Sequence, residues 1–62
     1  MSDEDRQRIV RAIRELGVSE TSRRLATSAE ATLRLALGAR VHRGTEALAL
    51  SRLGSLPTGG TP

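Results

Sequence analysis

A chain of 62 residues holds one domain at most, and only 37% of this one is apolar, with no Phe, Tyr, Trp or Cys. That composition excludes a disulfide framework, a thiolate metal site and a core built on aromatic anchors, and a chain this short buries only about 60% of the surface its unfolded form exposes. The net charge is +3 and the isoelectric point about 11.4, carried by arginine alone because the chain has no lysine.

Ser2 followed by Asp3, Glu4 and Asp5 predicts an N-cap and an acidic first turn that complements the helix dipole. Ser2 and Asp5 have capping-box spacing, with Asp in place of Glu. Ile9, Ile13 and Leu16 recur at i, i+4 and i+7, with Val10 beside them, while Arg8, Arg11, Arg14 and Glu15 fall mostly on other faces. Gly17 follows as a C-terminal glycine, so a first helix is expected over about residues 3–16.

Ser19 is the expected cap of a short second helix ending at Leu25 or Ala26. Thr27 and Glu30 have the T-x-x-E spacing of a capping box, so a third helix is expected from Thr27 or Ser28 to a C-cap at Gly38. No Gly or Pro interrupts Ser19 to Gly38, so one continuous helix with Leu25, Ala29, Leu33 and Ala36 in a stripe is the competing expectation. GARVHRG reads as a loop, Thr45 as the cap of a fourth helix, EALALSRL, and Gly54 as its end. The fold class is therefore all-α, a compact bundle of four short helices over residues 1–56. Residues 57–62, rich in Pro and Gly, are expected to form a flexible tail.

Charge divides unevenly along this path. Residues 1–20 hold four Arg against five acids, net −1, whereas residues 21–53 hold six Arg against two acids, net +4. A basic segment of this kind faces nucleic acid or an acidic surface, or is a solvated helix face. The preference for Arg suits bidentate contacts to phosphate and guanine, although a GC-rich genome gives the same bias. No window approaches the ~18 apolar residues of a membrane span, and the acidic N-terminus is unlike a secretory signal, so a cytoplasmic protein without membrane contact is expected. His42 has no acid near it in sequence and no cysteine nucleophile is present, which argues against an enzyme, a metal site, a cofactor or a small-molecule substrate.

From Val18 to Leu53 the chain resembles the helix-turn-helix of the lambda repressor/Cro-like family of small phage and bacterial transcriptional regulators. The likeness rests on Leu25 closing helix 2, Ser28 opening helix 3, Leu35 in the core, Gly38 ending the helix, and RVHRGTEALAL leading into the next. It departs from the family at Ala26, where Gly is usual, and at Thr27, where an apolar residue follows. It departs again at Thr21 and Ser22 in helix 2 and at Thr32 in helix 3, each placing polarity in a small core.

The resemblance implies a sequence-specific regulator, a repressor by expectation, that binds double-stranded DNA as a homodimer with helix 3 in the major groove. Its groove side then presents Ser28, Ala29, Glu30, Leu33 and Arg34, with Arg34 as the guanine reader. The competing assignments are a solvated Arg34, a capping Glu30 and a core Leu33. Arg23, Arg24, Arg40, His42, Arg43 and Thr45 suit phosphate contacts. Leu48, Leu50 and Leu53 on helix 4 are the expected dimer element, with helix 1 as the alternative. Two other readings remain open: a helical protein-interaction module, and the DNA-binding half of a toxin–antitoxin or excision system.

Overall fold

The fold is described from a computed structural model for residues 1–56; the expected tail, residues 57–62, lies outside the described residues. It is all-helical: α1 (Asp3–Leu16), α2 (Val18–Leu25), α3 (Ala29–Leu37) and α4 (Arg43–Ser51), then a 3-10 turn (Leu53–Ser55). None of these helices is long and apolar enough to cross a membrane.

Local chemistry sets each boundary. Extended Ser2 accepts the Asp5 amide on Oγ at 3.1 Å and opens α1. Gly17 ends it at φ 86° and ψ 160°, a conformation essentially confined to glycine. Its amide donates to the Ile13 carbonyl, and its own carbonyl accepts both the amide and the hydroxyl of Thr21. One residue thus closes α1 and opens α2. Ser19, the expected cap, lies inside α2 because the backbone reversal comes two residues earlier.

α2 and α3 are separate helices, so the continuous helix is excluded. Ala26 takes up the left-handed conformation at φ 57° and ψ 41°. Its amide donates to Arg23 and that of Thr27 to Ser22, the paired bonds of a Schellman closure. Gly38 closes α3 with the same pair, onto Leu35 and Arg34. Ser28 caps α3 by accepting the Ala31 amide at 3.1 Å. Thr27 is therefore not the cap, and Glu30 leaves the expected capping box to pair with Arg34.

α4 starts earlier than expected. His42 occupies its N-cap position with no side-chain cap bond, and Thr45 lies within the first turn. The helix also ends earlier, at Ser51, and Gly54 falls inside the 3-10 turn that folds Leu53 and Leu56 back onto the core.

Ile9, Ala12, Leu25, Leu35, Ala36, Ala49, Leu53 and Leu56 form that core, with Val10, Ile13, Leu16, Val41 and Leu50 packed against it. Three alanines among eight residues let the helices approach closely in place of aromatic bulk. The polar residues that depart from the family pattern meet inside it: Thr21, Ser22 and Thr32 are all buried. Ser22 Oγ lies 2.8 Å from Thr32 Oγ1 and 2.6 Å from the Val18 carbonyl, and Thr32 donates to Ser28 O at 2.9 Å. Among the described residues, no buried side-chain nitrogen or oxygen lacks a partner. The hydroxyls therefore avoid the cost of unpaired burial and tie α2 to α3 across the turn.

Arginines fasten the outside. Arg6 donates to the Ala36 carbonyl and to Asp3, and Arg8 to the Leu53 carbonyl. Arg24 donates to the Ser55 carbonyl while Ser55 Oγ donates back to Arg24 O. The Met1 amino group donates to Glu46 Oε2 at 2.9 Å, a bond that with Glu46's charge holds its pKa above the ordinary value.

Candidate nucleic-acid interface

Helical periodicity, about 100° per residue, sorts α3 into an inner face and an exposed arc. Thr32, Leu35 and Ala36 point inward; Ala29, Glu30, Leu33, Arg34 and Leu37 are exposed. A groove runs along each flank of that arc, and the two differ in chemistry.

On the α4 side lies an open cleft of about 460 Å³, lined by Thr27, Ser28, Glu30, Ala31, Arg34, Val41, His42 and Thr45. The start of α3 and the start of α4 both border it, so two sets of helix-terminal amides adjoin one polar space, the arrangement that favours anions. Arg34 forms an i,i+4 ion pair with Glu30 at 2.9 Å. Its guanidinium is thereby held on the arc, with its charge partly offset by Glu30. Arg40 and Arg43, the chain neighbours of Val41 and His42, are exposed and form no ion pair among the described residues.

Of the expected base-reading residues, Ser28, Glu30 and Arg34 are brought together here, with Ala29 exposed beside them. Leu33 is not. It is 46% exposed, so it is not a core leucine either, and it turns to the opposite flank. Of the phosphate candidates, His42 and Thr45 line the cleft, while Arg23 and Arg24 are engaged elsewhere. Both clamp Glu20, at 2.8 and 2.9 Å. Hydrogen bonds from Arg24 and Arg23 hold that carboxyl below its ordinary pKa.

On the α1 side lies an apolar trough of about 310 Å³, lined by Val10, Ile13, Leu33, Ala36 and Leu37, with Arg14 as its one charged wall. Leu37 is 80% exposed. The signal for this trough is present in AEATLRLAL: leucines at 33, 35 and 37 are spaced by two, and at about 3.6 residues per turn they cannot share one buried face. Leu35 takes the core, which leaves the other two outside.

The expected dimer element is largely consumed by the fold. Leu53 is 5% exposed in the chain's own core and Leu50 is half-buried against it, so α4 offers only Leu48. The 3-10 turn, not extension of α4, puts Leu53 there.

No family model, curated protein or solved structure matches this chain.

Proposed function

We propose that this chain is a small sequence-specific DNA-binding transcriptional regulator, acting in the cytoplasm as a homodimer, with α2 and α3 as a helix-turn-helix and α3 as the element that enters the major groove. The observation that carries the reading is the three-residue turn at left-handed Ala26. It joins two short helices and opens the second onto a polar cleft whose surroundings carry Arg34, Arg40, His42 and Arg43. Arg34 is the base reader, since its fork matches guanine O6 and N7. Arg40 and Arg43 hold phosphates, which fix position without reading sequence. One α3 reaches only a few base pairs, so two copies on a palindrome, with half-sites about 34 Å apart, supply enough contacts for an operator. Repression is the simplest outcome, by occupancy of that operator.

The apolar trough beside α3 favours a second reading, a helical protein-interaction module without DNA binding. Selection from a random duplex pool, followed by sequencing, separates the two. The expected result is one enriched motif of two-fold symmetry, bound with steep salt dependence. Absence of enrichment at low salt transfers the function to the trough.

A further inference from the structure

We infer that Glu30 and Arg34 act together as the reader of one base pair, a G·C pair in a single orientation. Arg34 donates to guanine N7 and O6, and Glu30 accepts from N4 of the cytosine opposite. The inference rests on the DNA-binding reading and deepens it, from a base to a base pair and a second residue that specifies it.

Three observations carry it. The first is that Glu30 has no capping duty at the start of α3, because Ser28 accepts the Ala31 amide there. The second is its position. Residues 21–53 hold two acids, Glu30 and Glu46, and Glu46 is bound to the Met1 amino group. Glu30 is thus the one acid lining the cleft that Arg34 and His42 share, and its side chain is 74% exposed. A carboxylate there repels phosphate at every sequence, so it favours binding only where a base donates to it.

The third observation is how the two heads are held. Of the five ion pairs among the described residues, those of Asp3, Glu20 and Glu46 are also hydrogen bonds. Arg34 and Glu30 lie 2.9 Å apart without one. The heads are side by side, with donors on one and acceptor lone pairs on the other still to be used.

That arrangement complements one base-pair edge. In the major groove a G·C pair presents acceptor N7, acceptor O6 and the donor amine N4, in that order. The Watson–Crick hydrogen bond sets O6 and N4 about 2.9 Å apart. An arginine fork beside a carboxylate presents donor, donor and acceptor at a similar spacing. A C·G pair reverses the order. An A·T pair, in either orientation, sets its N6 donor against an N–H and an acceptor against the carboxylate. Arg34 alone would tolerate other edge acceptors, and Glu30 rejects them by repulsion.

The test is selection from a random duplex pool with the full chain, as wild type, Arg34→Ala, Glu30→Ala and Glu30→Gln. Fluorescence anisotropy then compares the selected duplex, its base-pair variants at the position that Arg34→Ala relaxes, and a scrambled duplex. Both side chains are exposed, and circular dichroism verifies the helix content of each variant. The wild type is expected to select G·C there in one orientation. Glu30→Ala should relax that same position about 10-fold, while binding the scrambled duplex somewhat more tightly because a repelling charge is gone. Glu30→Gln should keep part of the preference and newly admit A·T, since its amide can turn an N–H toward the acceptor. A Glu30→Ala that keeps the wild-type preference at every position overturns the inference and leaves DNA binding standing. So does one that relaxes a different position from Arg34→Ala, and so does a motif that Arg34→Ala leaves unchanged. A wild type that enriches no motif removes the DNA-binding reading and this inference with it.

Discussion

One residue, a turn of about 100°, separates Leu33 from Arg34, and the two leave α3 into different surroundings. Arg34 stands with Glu30 over a polar cleft bordered by the starts of two helices, with His42 and Thr45 on its far wall. Leu33 stands with Leu37 over Val10 and Ile13, where the only charge is Arg14 at the rim. The polar flank suits a ligand that brings many oxygens and is held largely by counterion release. The apolar flank suits another protein surface, because burying leucine stabilises only where water is expelled. A nine-residue helix thus presents two chemically distinct flanks that share no side chain, because the core takes only one of its three leucines.

The largest effect comes from removing what both flanks stand on. Leu35 lies under α3, 3% exposed, in the core cluster. Leu35→Ala should cost about 2–5 kcal/mol, against a total stability on the order of 3–9 kcal/mol for a chain of this length. Thermal melts should show a transition lowered by tens of degrees or lost, with DNA binding and self-association failing together. Survival of one flank without the other would mean that they do not share a support.

Next come the arginines of the polar flank. Arg34→Ala should cost about 1–3 kcal/mol on a selected site, relax preference at one base position and barely alter binding to scrambled DNA. Arg40→Ala and Arg43→Ala should weaken binding to all sequences alike and lower the salt slope by about one unit per monomer site. Fluorescence anisotropy on both duplexes across a salt series checks all three. Equal weakening on both duplexes for Arg34→Ala would reassign it from bases to phosphates.

A smaller and opposite pair of effects sits in the turns. Ala26 and Gly38 close α2 and α3 with the same hydrogen bonds and the same left-handed backbone. An L-residue there costs roughly 1–2 kcal/mol, part of which glycine gives back as unfolded-state entropy. Ala26→Gly should therefore stabilise by up to about 1 kcal/mol, raising Tm by about 4–8 °C for a domain of this size. Gly38→Ala should lower Tm by a similar amount, for conformational reasons alone. A Cβ there would meet only Arg6 Cδ, at an ordinary 3.7 Å. A Tm that falls for Ala26→Gly would mean that the alanine methyl packs in a way that outweighs the strain.

These residues also mark what the sequence made legible. The helix count and the limits of α1 were readable, because apolar period, Ser2 and Gly17 act within a turn of their own position, whereas Ser28 signalled a break near Ala26 without excluding one continuous helix. Starts that depend on backbone reversal were not: Gly17 replaced Ser19, and His42 replaced Thr45, without a side-chain signature. At the candidate site, the grouping of Ser28, Glu30 and Arg34 followed from the family resemblance, which placed Leu33 with them although it lies on the opposite flank. The burial of Leu53 did not, since it depends on the 3-10 turn reaching α1. Nor did the pairing of Ser22 with Thr32, ten residues apart, which converts two apparent defects of the core into a cross-link between helices. The clamp on Glu20 is the intermediate case. The i,i+3 and i,i+4 spacings of Glu20, Arg23 and Arg24 are plain in sequence, yet the family resemblance assigns both arginines to phosphate.

Glu20 gives the smallest effect, and it sharpens the boundary of the polar flank. Hydrogen bonds from Arg24 and Arg23 depress its carboxyl below the ordinary 4.5, so the folded state binds this proton less readily than the unfolded chain. The stabilisation is then fully present above pH 4.5 and disappears as pH falls through the lowered folded value. Glu20→Gln should lower Tm slightly at neutral pH and leave a shallower acid-side decline than the wild type, because the titrating group is gone. Its effect on DNA separates two roles for the arginines. Arg24 keeps its bond to the Ser55 carbonyl in the variant, and Arg23 is released. If both serve as clamps, the salt slope of DNA binding should change by less than about half a unit. A slope steeper by about one unit per monomer would place Arg23 on phosphate once its acid is removed, extending the polar flank from α3 and α4 onto α2.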